Sequence, residues 1–179
     1  AFNHKAGAEV FGSGSAQFEQ KSLAIFFRGK YGVGELKYKM FSDRPFEEYE
    51  SFILRNGGND WWSTLIRDPM TSNGLMEGTN LDFQAYRPSI VYINGEYWGI
   101  HNIREKVNEH YIKDHHYVEA DNLDMVEYKE RITPEIIHGD LENYDAMIEF
   151  LTNNDITDSV NYAYAEKIID IDSYINYQI

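Results

Sequence analysis

Cysteine is absent from all 179 residues, which excludes disulfides and thiolate-bound metal sites at once. Basic residues are few: 16 Lys and Arg stand against 30 Asp and Glu, for a formal charge of −14. A surface of that sign repels phosphate backbones, and no basic stripe interrupts it, so nucleic acid is excluded as a partner. No apolar run reaches the length of a bilayer-spanning helix, and no charged-then-apolar leader opens the chain. The sequence starts at Ala1 rather than Met and reads as a processed or excised piece of something longer. What the chain has in quantity is aromatic: 14 Tyr, 10 Phe and 3 Trp supply the bulk for one sizeable core, with or without an appended subdomain.

Along the chain, residues 1–20 are small and polar. Leu23, Ile25 and Phe27 then alternate as a strand, with Lys21 on the same face. "RGKYGVG" reads as a turn and "ELKYKMF" as a second strand, which predicts an antiparallel hairpin. "ESFILRN" is a short strand ending at Gly57-Gly58. In "NDWWSTLIRDPM", Asn59 or Asp60 caps a predicted helix from the tryptophans to about Glu77, kinked or split at Pro69. "PSIVYINGEYWGIHNIRE" places Asn94-Gly95 between two apolar-rich runs, the signature of a type I′ hairpin. From Lys106 onward helical spacing takes over: Tyr144, Met147, Ile148 and Leu151 form one stripe, and Tyr164, Ile168, Ile171 and Ile175 another. Strands first and helices later predict an α+β domain whose character switches near residue 105.

The stretch "FGSGSAQFEQK" carries the first candidate chemistry. Small residues at Gly12–Ser15 let backbone N–H groups approach a polyphosphate, and Lys21 behind them supplies a point charge. It is no Walker A loop, since a strand follows instead of a helix, and from spacing alone a plain turn is the commoner meaning. In "LRNGGND", Arg55 and Asp60 flank a double glycine, readable as an anion-binding turn or, more simply, as a turn with Asp60 capping the next helix. Asp68 is free to pair with Lys21 or to face water. Asp170 and Asp172 form a D-x-D, at most part of a hard-cation shell, and more simply the start of a new helical turn. None of the six histidines has the spacing of a zinc site, and no catalytic triad signature is present. Trp61, Trp62 and Trp98 form either a sugar-binding platform or part of the core.

Three blocks, "FGSGSAQFEQKSLAIFFRGKYG", "FILRNGGNDWWSTLIRDPM" and "YINGEYWGIHNIREKVNEHYI", together resemble the spore coat protein H (CotH) kinase family over residues 8 to 179. The resemblance implies an atypical protein-kinase-like fold: a strand-rich N-terminal lobe over residues 1–104 with one interposed helical segment, then from 105 a hinge and the first helices of a helical lobe, to 179. It implies transfer of phosphate from ATP to protein serine with Mg²⁺ or Mn²⁺. Carried over residue by residue, Gly12, Ser13, Gly14 and Ser15 cover the phosphates, Lys21 holds them, and Asp68 is the nearest partner for Lys21. Arg104, Glu105 and Lys106 form the hinge beside the adenine. Ala16 and Gln17 stand where the family usually has a basic residue. The family's catalytic and metal-binding aspartates lie in blocks beyond residue 179, so these residues alone are expected to be inactive, with no catalytic residue and no metal ligand among them. A secreted or cell-surface bacterial protein is implied, or a spore coat component. The alternative function is a non-catalytic structural, carbohydrate-binding or surface-binding module.

Overall fold

The computed structural model describes residues 1–76, 78–129 and 133–178. The chain divides into two compact units, residues 1–77 with 83–107 and residues 78–82 with 108–179. Helices and strands are mixed throughout, and the fold is α+β.

The first unit is built on five antiparallel strands. In chain order the elements are β1 (Gly7–Phe11), β2 (Ser22–Phe26), β3 (Leu36–Lys37), β4 (Glu48–Tyr49), β5 (Ser51–Arg55), helix α1 (Arg67–Met70), β6 (Tyr86–Ile93) and β7 (Glu96–Glu105). The main sheet runs β1-β2-β5-β7-β6, and β3 and β4 form a separate two-stranded ladder. Strand alternation gives the sheet two covered faces. On one, Ile25, Phe52, Leu54 and Ile103 pack against Phe27, Leu36, Met40, Phe41 and Tyr49, which is the apolar core. On the other, the buried Ala24, Ile53, Asn102 and Arg104 meet the segment 56–76, where Asn102 Nδ2 donates to Leu65 O at 3.0 Å. β6 lies at the sheet edge and carries the exposed Pro88.

The expected hairpin of 23–27 with 35–41 does not form. β2 pairs instead with β1 and β5, with Ile25 opposite Phe52 and Leu23 opposite Leu54. "ELKYKMF" keeps only two strand residues, because Leu36, Met40 and Phe41 all turn inward, a spacing no period-2 strand can satisfy. The tryptophans do not start a helix either. A 3₁₀ turn covers Gly58–Asp60, and α1 begins only at Arg67, continuing as a π-type turn over Thr71–Leu75. Pro69 is the third residue of α1, within the first turn, where its missing N–H has no intrahelical partner to lose. Glu77, the expected end of that stretch, lies outside the described residues. The Asn94-Gly95 turn is as read: φ is +53° and +84°, the positive pair a type I′ turn requires. Beyond it the register shifts by one, Tyr92 facing Tyr97 and Val91 facing Gly99, so Trp98 is the extra residue of a bulge.

The second unit holds α2 (Glu109–His116), the hairpin β8 (Met125–Lys129) and β9 (Thr133–His138), and helices α3 (Glu142–Asn153), α4 (Ser159–Ile168) and α5 (Ile171–Gln178). That hairpin interrupts what the sequence pattern gave as helix from Lys106 onward. The last helical stretch splits in two at Ile169-Asp170. Asp170 Oδ1 accepts from Ser173 N at 2.9 Å and so starts α5, while Asp158 Oδ1 accepts from Val160 N and Asn161 N and starts α4. Asp170 is thus a capping residue, and Asp172 lies in the first turn of α5. Among the described residues of this unit only Tyr111 and Ala165 are buried apolar side chains, whereas Ile148, Val160, Tyr164, Tyr174, Ile175 and Tyr177 are exposed.

Candidate functional site

The loop between β1 and β2 is shaped by its first glycine. Gly12 has φ +105°, and a Cβ there would fall 2.6 Å from Ser15 Oγ, so only glycine fits. The chain then closes a 3₁₀ turn, with Ala16 N donating to Ser13 O and Phe18 N to Ser15 O. Gly12, Ser13 and Gly14 stay exposed, while Ser15 and Lys21 are half-buried. The Lys21 ammonium bends back on the loop: Nζ donates to Ala16 O at 2.8 Å and Phe18 O at 3.2 Å. An ammonium has three donors, so these two bonds leave one available.

Behind the loop lies a polar clamp that the sequence did not announce. Gln20 Nε2 donates to Ile100 O at 2.7 Å, and Gln20 Oε1 accepts from Trp61 Nε1 at 3.1 Å. The fully buried His101 places Nε2 3.0 Å from Lys21 O and Nδ1 3.2 Å from Gln20 Nε2. Ser22 Oγ donates to Asn56 Oδ1, and Asn56 Nδ2 in turn donates to Gln20 O. The Phe18 ring stacks on Trp61 at 5.2 Å, and Trp62, 77% exposed, meets Trp61 edge-on at 4.1 Å. Trp98 is half-buried in the β7 bulge and takes no part in this cluster. The one hint in the sequence was Phe18, an aromatic residue closing an otherwise small loop.

Asp60 caps no helix at the tryptophans, where none starts; its carboxylate reaches forward to the start of α1. It accepts from Thr64 Oγ1 at 2.5 Å and from Arg67 N, the first residue of α1, at 3.0 Å. The Thr64 hydroxyl, followed by the Arg67 N–H, holds its carboxyl down at about 2.

Asp68 does not pair with Lys21. Its Oδ2 lies 2.7 Å from Arg104 Nη1 and 3.0 Å from Arg55 Nε, two cations sharing one carboxylate oxygen. Arg104 is 1% exposed and also donates to Ser72 Oγ and Gln84 O. Burial pulls its guanidinium below the ordinary value, and the Asp68 carboxylate opposes this. Glu105 is buried as well: Oε2 accepts from Ala85 N at 2.6 Å and Arg44 Nε at 3.0 Å, and its carbonyl accepts from Gln84 Nε2. Lys106 lies over the Phe26 ring at 4.6 Å. The structure thus ties Lys21 to the loop at Ala16 and Phe18, just past Gly12–Ser15, and keeps Asp68, Arg104 and Glu105 in a separate ionic network.

For a nucleotide the two halves of this arrangement differ. An exposed glycine loop with a lysine whose partners among the described residues are carbonyls fits phosphates. Asp68, the expected partner of Lys21, is instead engaged by two arginines, and among the described residues no three His, Asp or Glu side chains gather as a metal site. No curated protein matches the chain. The family model described as "CotH kinase protein" does match, over residues 8–179, and with that extent covered the chain belongs to the CotH kinase family.

Proposed function

We propose that the chain holds the phosphates of ATP for a kinase that phosphorylates protein serine, with Gly12–Ser15 as the covering loop and Lys21 as the anchor. One observation carries this reading. Among the described residues no carboxylate pairs with Lys21; its two partners are neutral carbonyls of the loop itself. A half-buried ammonium held by neutral carbonyls, beside exposed backbone, is suited to an anionic ligand. ATP would supply the transferable phosphoryl group. The protein's part is to fix the polyphosphate: the carbonyls of Ala16 and Phe18 aim the ammonium, and the Gln20–His101 clamp holds the strand that carries it. Arg104 and Glu105 are engaged in internal pairs, so of the hinge only the Lys106 backbone is proposed to border the base.

The test is calorimetric titration with ATP. Lys21→Met is expected to weaken binding by about 1.5–3 kcal/mol, the worth of a charge-assisted contact, and Lys21→Arg to restore part of it. Unchanged affinity in a folded Lys21→Met protein overturns the role. A second reading, carbohydrate or surface binding, draws on Trp62, whose exposed ring stands edge-on to the Phe18–Trp61 stack. Saturable binding of a soluble oligosaccharide, lost in Trp62→Ala, with no ATP binding, would favour it. On the family's association with the spore coat we assign the protein to a bacterial cell or spore surface. No helix among the described residues is long and apolar enough to cross a membrane.

A further inference from the structure

The formal charge is not spread over the chain. Residues 78–82 and 108–179 contain 18 of the 30 acidic residues and only four of the 16 basic ones, so this unit carries the whole −14 and the other is neutral. Within the same unit a cavity of about 590 Å³ opens between β8 and helices α3 and α4. That size falls in the range of small-molecule sites, roughly 300–1,000 Å³. Tyr128, Tyr144 and Tyr164 line it together with the apolar Met147 and Ile168 and with Asp124.

Each ring has a partner. The hydroxyls of Tyr128 and Tyr144 share a hydrogen bond of 2.7 Å, and Tyr164 packs on Phe150 with centroids 4.4 Å apart. Asp124 is oriented too: Oδ1 accepts from Asp140 N at 3.0 Å and Oδ2 from Asn143 Nδ2 at 2.9 Å, leaving a second lone pair on each oxygen. The Asp140 N–H, more than any other group, lowers its carboxyl below the ordinary range, so the charge is present at neutral pH. Aromatic faces attract cations, a nearby carboxylate adds to this, and the field of the unit repels anions.

We propose that this cavity binds a small organic cation of the polyamine type, its ammonium group set against the tyrosine rings with Asp124 as counter-charge. The rings supply selectivity for an alkylated nitrogen over a hydrated metal ion, and the apolar lining accepts the methylene chain. The site lies in the unit that does not contain Lys21, and the inference is independent of nucleotide binding.

Calorimetric titration with spermidine, without nucleotide, tests it at about 0.15 M salt, where charges beyond ~8 Å are screened. One saturable site is expected. Asp124→Asn and Tyr164→Leu should each weaken it at least about tenfold, while Tyr164→Phe, which keeps the ring, should stay within about twofold. Asp172→Asn removes the same charge outside the cavity and should also stay within about twofold. Equal weakening by Asp172→Asn means diffuse attraction and overturns the site, as does equal binding of an uncharged glycol of matched length. Ring resonances of the unaltered protein give a measurement free of folding effects. Shifts confined to Tyr128, Tyr144 and Tyr164 support the site, and shifts spread over the other tyrosines refute it.

Discussion

Asp60 ties three backbone or side-chain groups to one buried carboxylate, and its acidity makes that tie sensitive to pH. Its carboxyl lies at about 2 in the folded chain against an ordinary 3.8. A lowered value means the folded state favours the ionised form, so the stabilisation is complete above the ordinary value. It erodes as pH falls from there toward 2, and is gone below. Asp60→Asn should therefore shift the urea midpoint clearly at pH 6 and much less at pH 2.5. A gap that stays constant between the two would mean the carboxylate charge does nothing for the fold. At this scale part of the site was legible before folding. Gly12–Ser15 and Lys21 are neighbours in sequence, so the loop and the lysine of the proposed site can be picked out from local spacing alone. The buried partner of Asp68 was not legible, because Arg104 lies 36 residues further along the chain and reaches it only once β7 has paired with β5. Gln20 and His101, 81 residues apart, escaped notice for the same reason.

Two glycines in one hairpin separate turn chemistry from packing at the scale of elements. Gly95 has positive φ and open space around it, so Gly95→Val should cost about 1–3 kcal/mol of backbone strain and nothing more. Gly99 has φ +136° in the bulge, and a Cβ there would fall 2.4 Å from Gln20 Nε2. Gly99→Ala should therefore displace Gln20, release the Trp61 indole and change tryptophan emission, whereas Gly95→Val should leave emission alone. Identical emission in both variants would show that Gln20 does not hold Trp61. The type I′ turn was readable because both of its requirements are local. β1 was not, since "GAEVF" has little apolar alternation and is a strand only because β2 lies beside it. The β8–β9 hairpin was missed in a region where the flanking helical stripes dominate the pattern.

The two units differ in what holds them. The first has a continuous apolar core around Phe41 and Leu36; the second buries two apolar side chains among its described residues and carries all the net charge. Few buried contacts and self-repulsion both favour local opening. Amide hydrogen exchange should therefore be slowest in β2, β5 and β7 and faster in α3, α4 and α5, with added salt slowing the helices more than the sheet. Equal protection in both units would contradict this. The sequence pattern predicted the α3–α5 stripes but not that they would remain exposed, because periodicity reports which side chains share a face and is silent on what covers it.

The open edge of the main sheet has a different kind of consequence. β6 ends the strand order and exposes Ile90 and Tyr92, an invitation for a second copy to continue the sheet. Pro88 sits in that strand and has no N–H to give, so an incoming strand meets an interrupted ladder beside its most adhesive side chains. A single imino acid thus removes one donor from the edge that a second copy would need in order to add a strand.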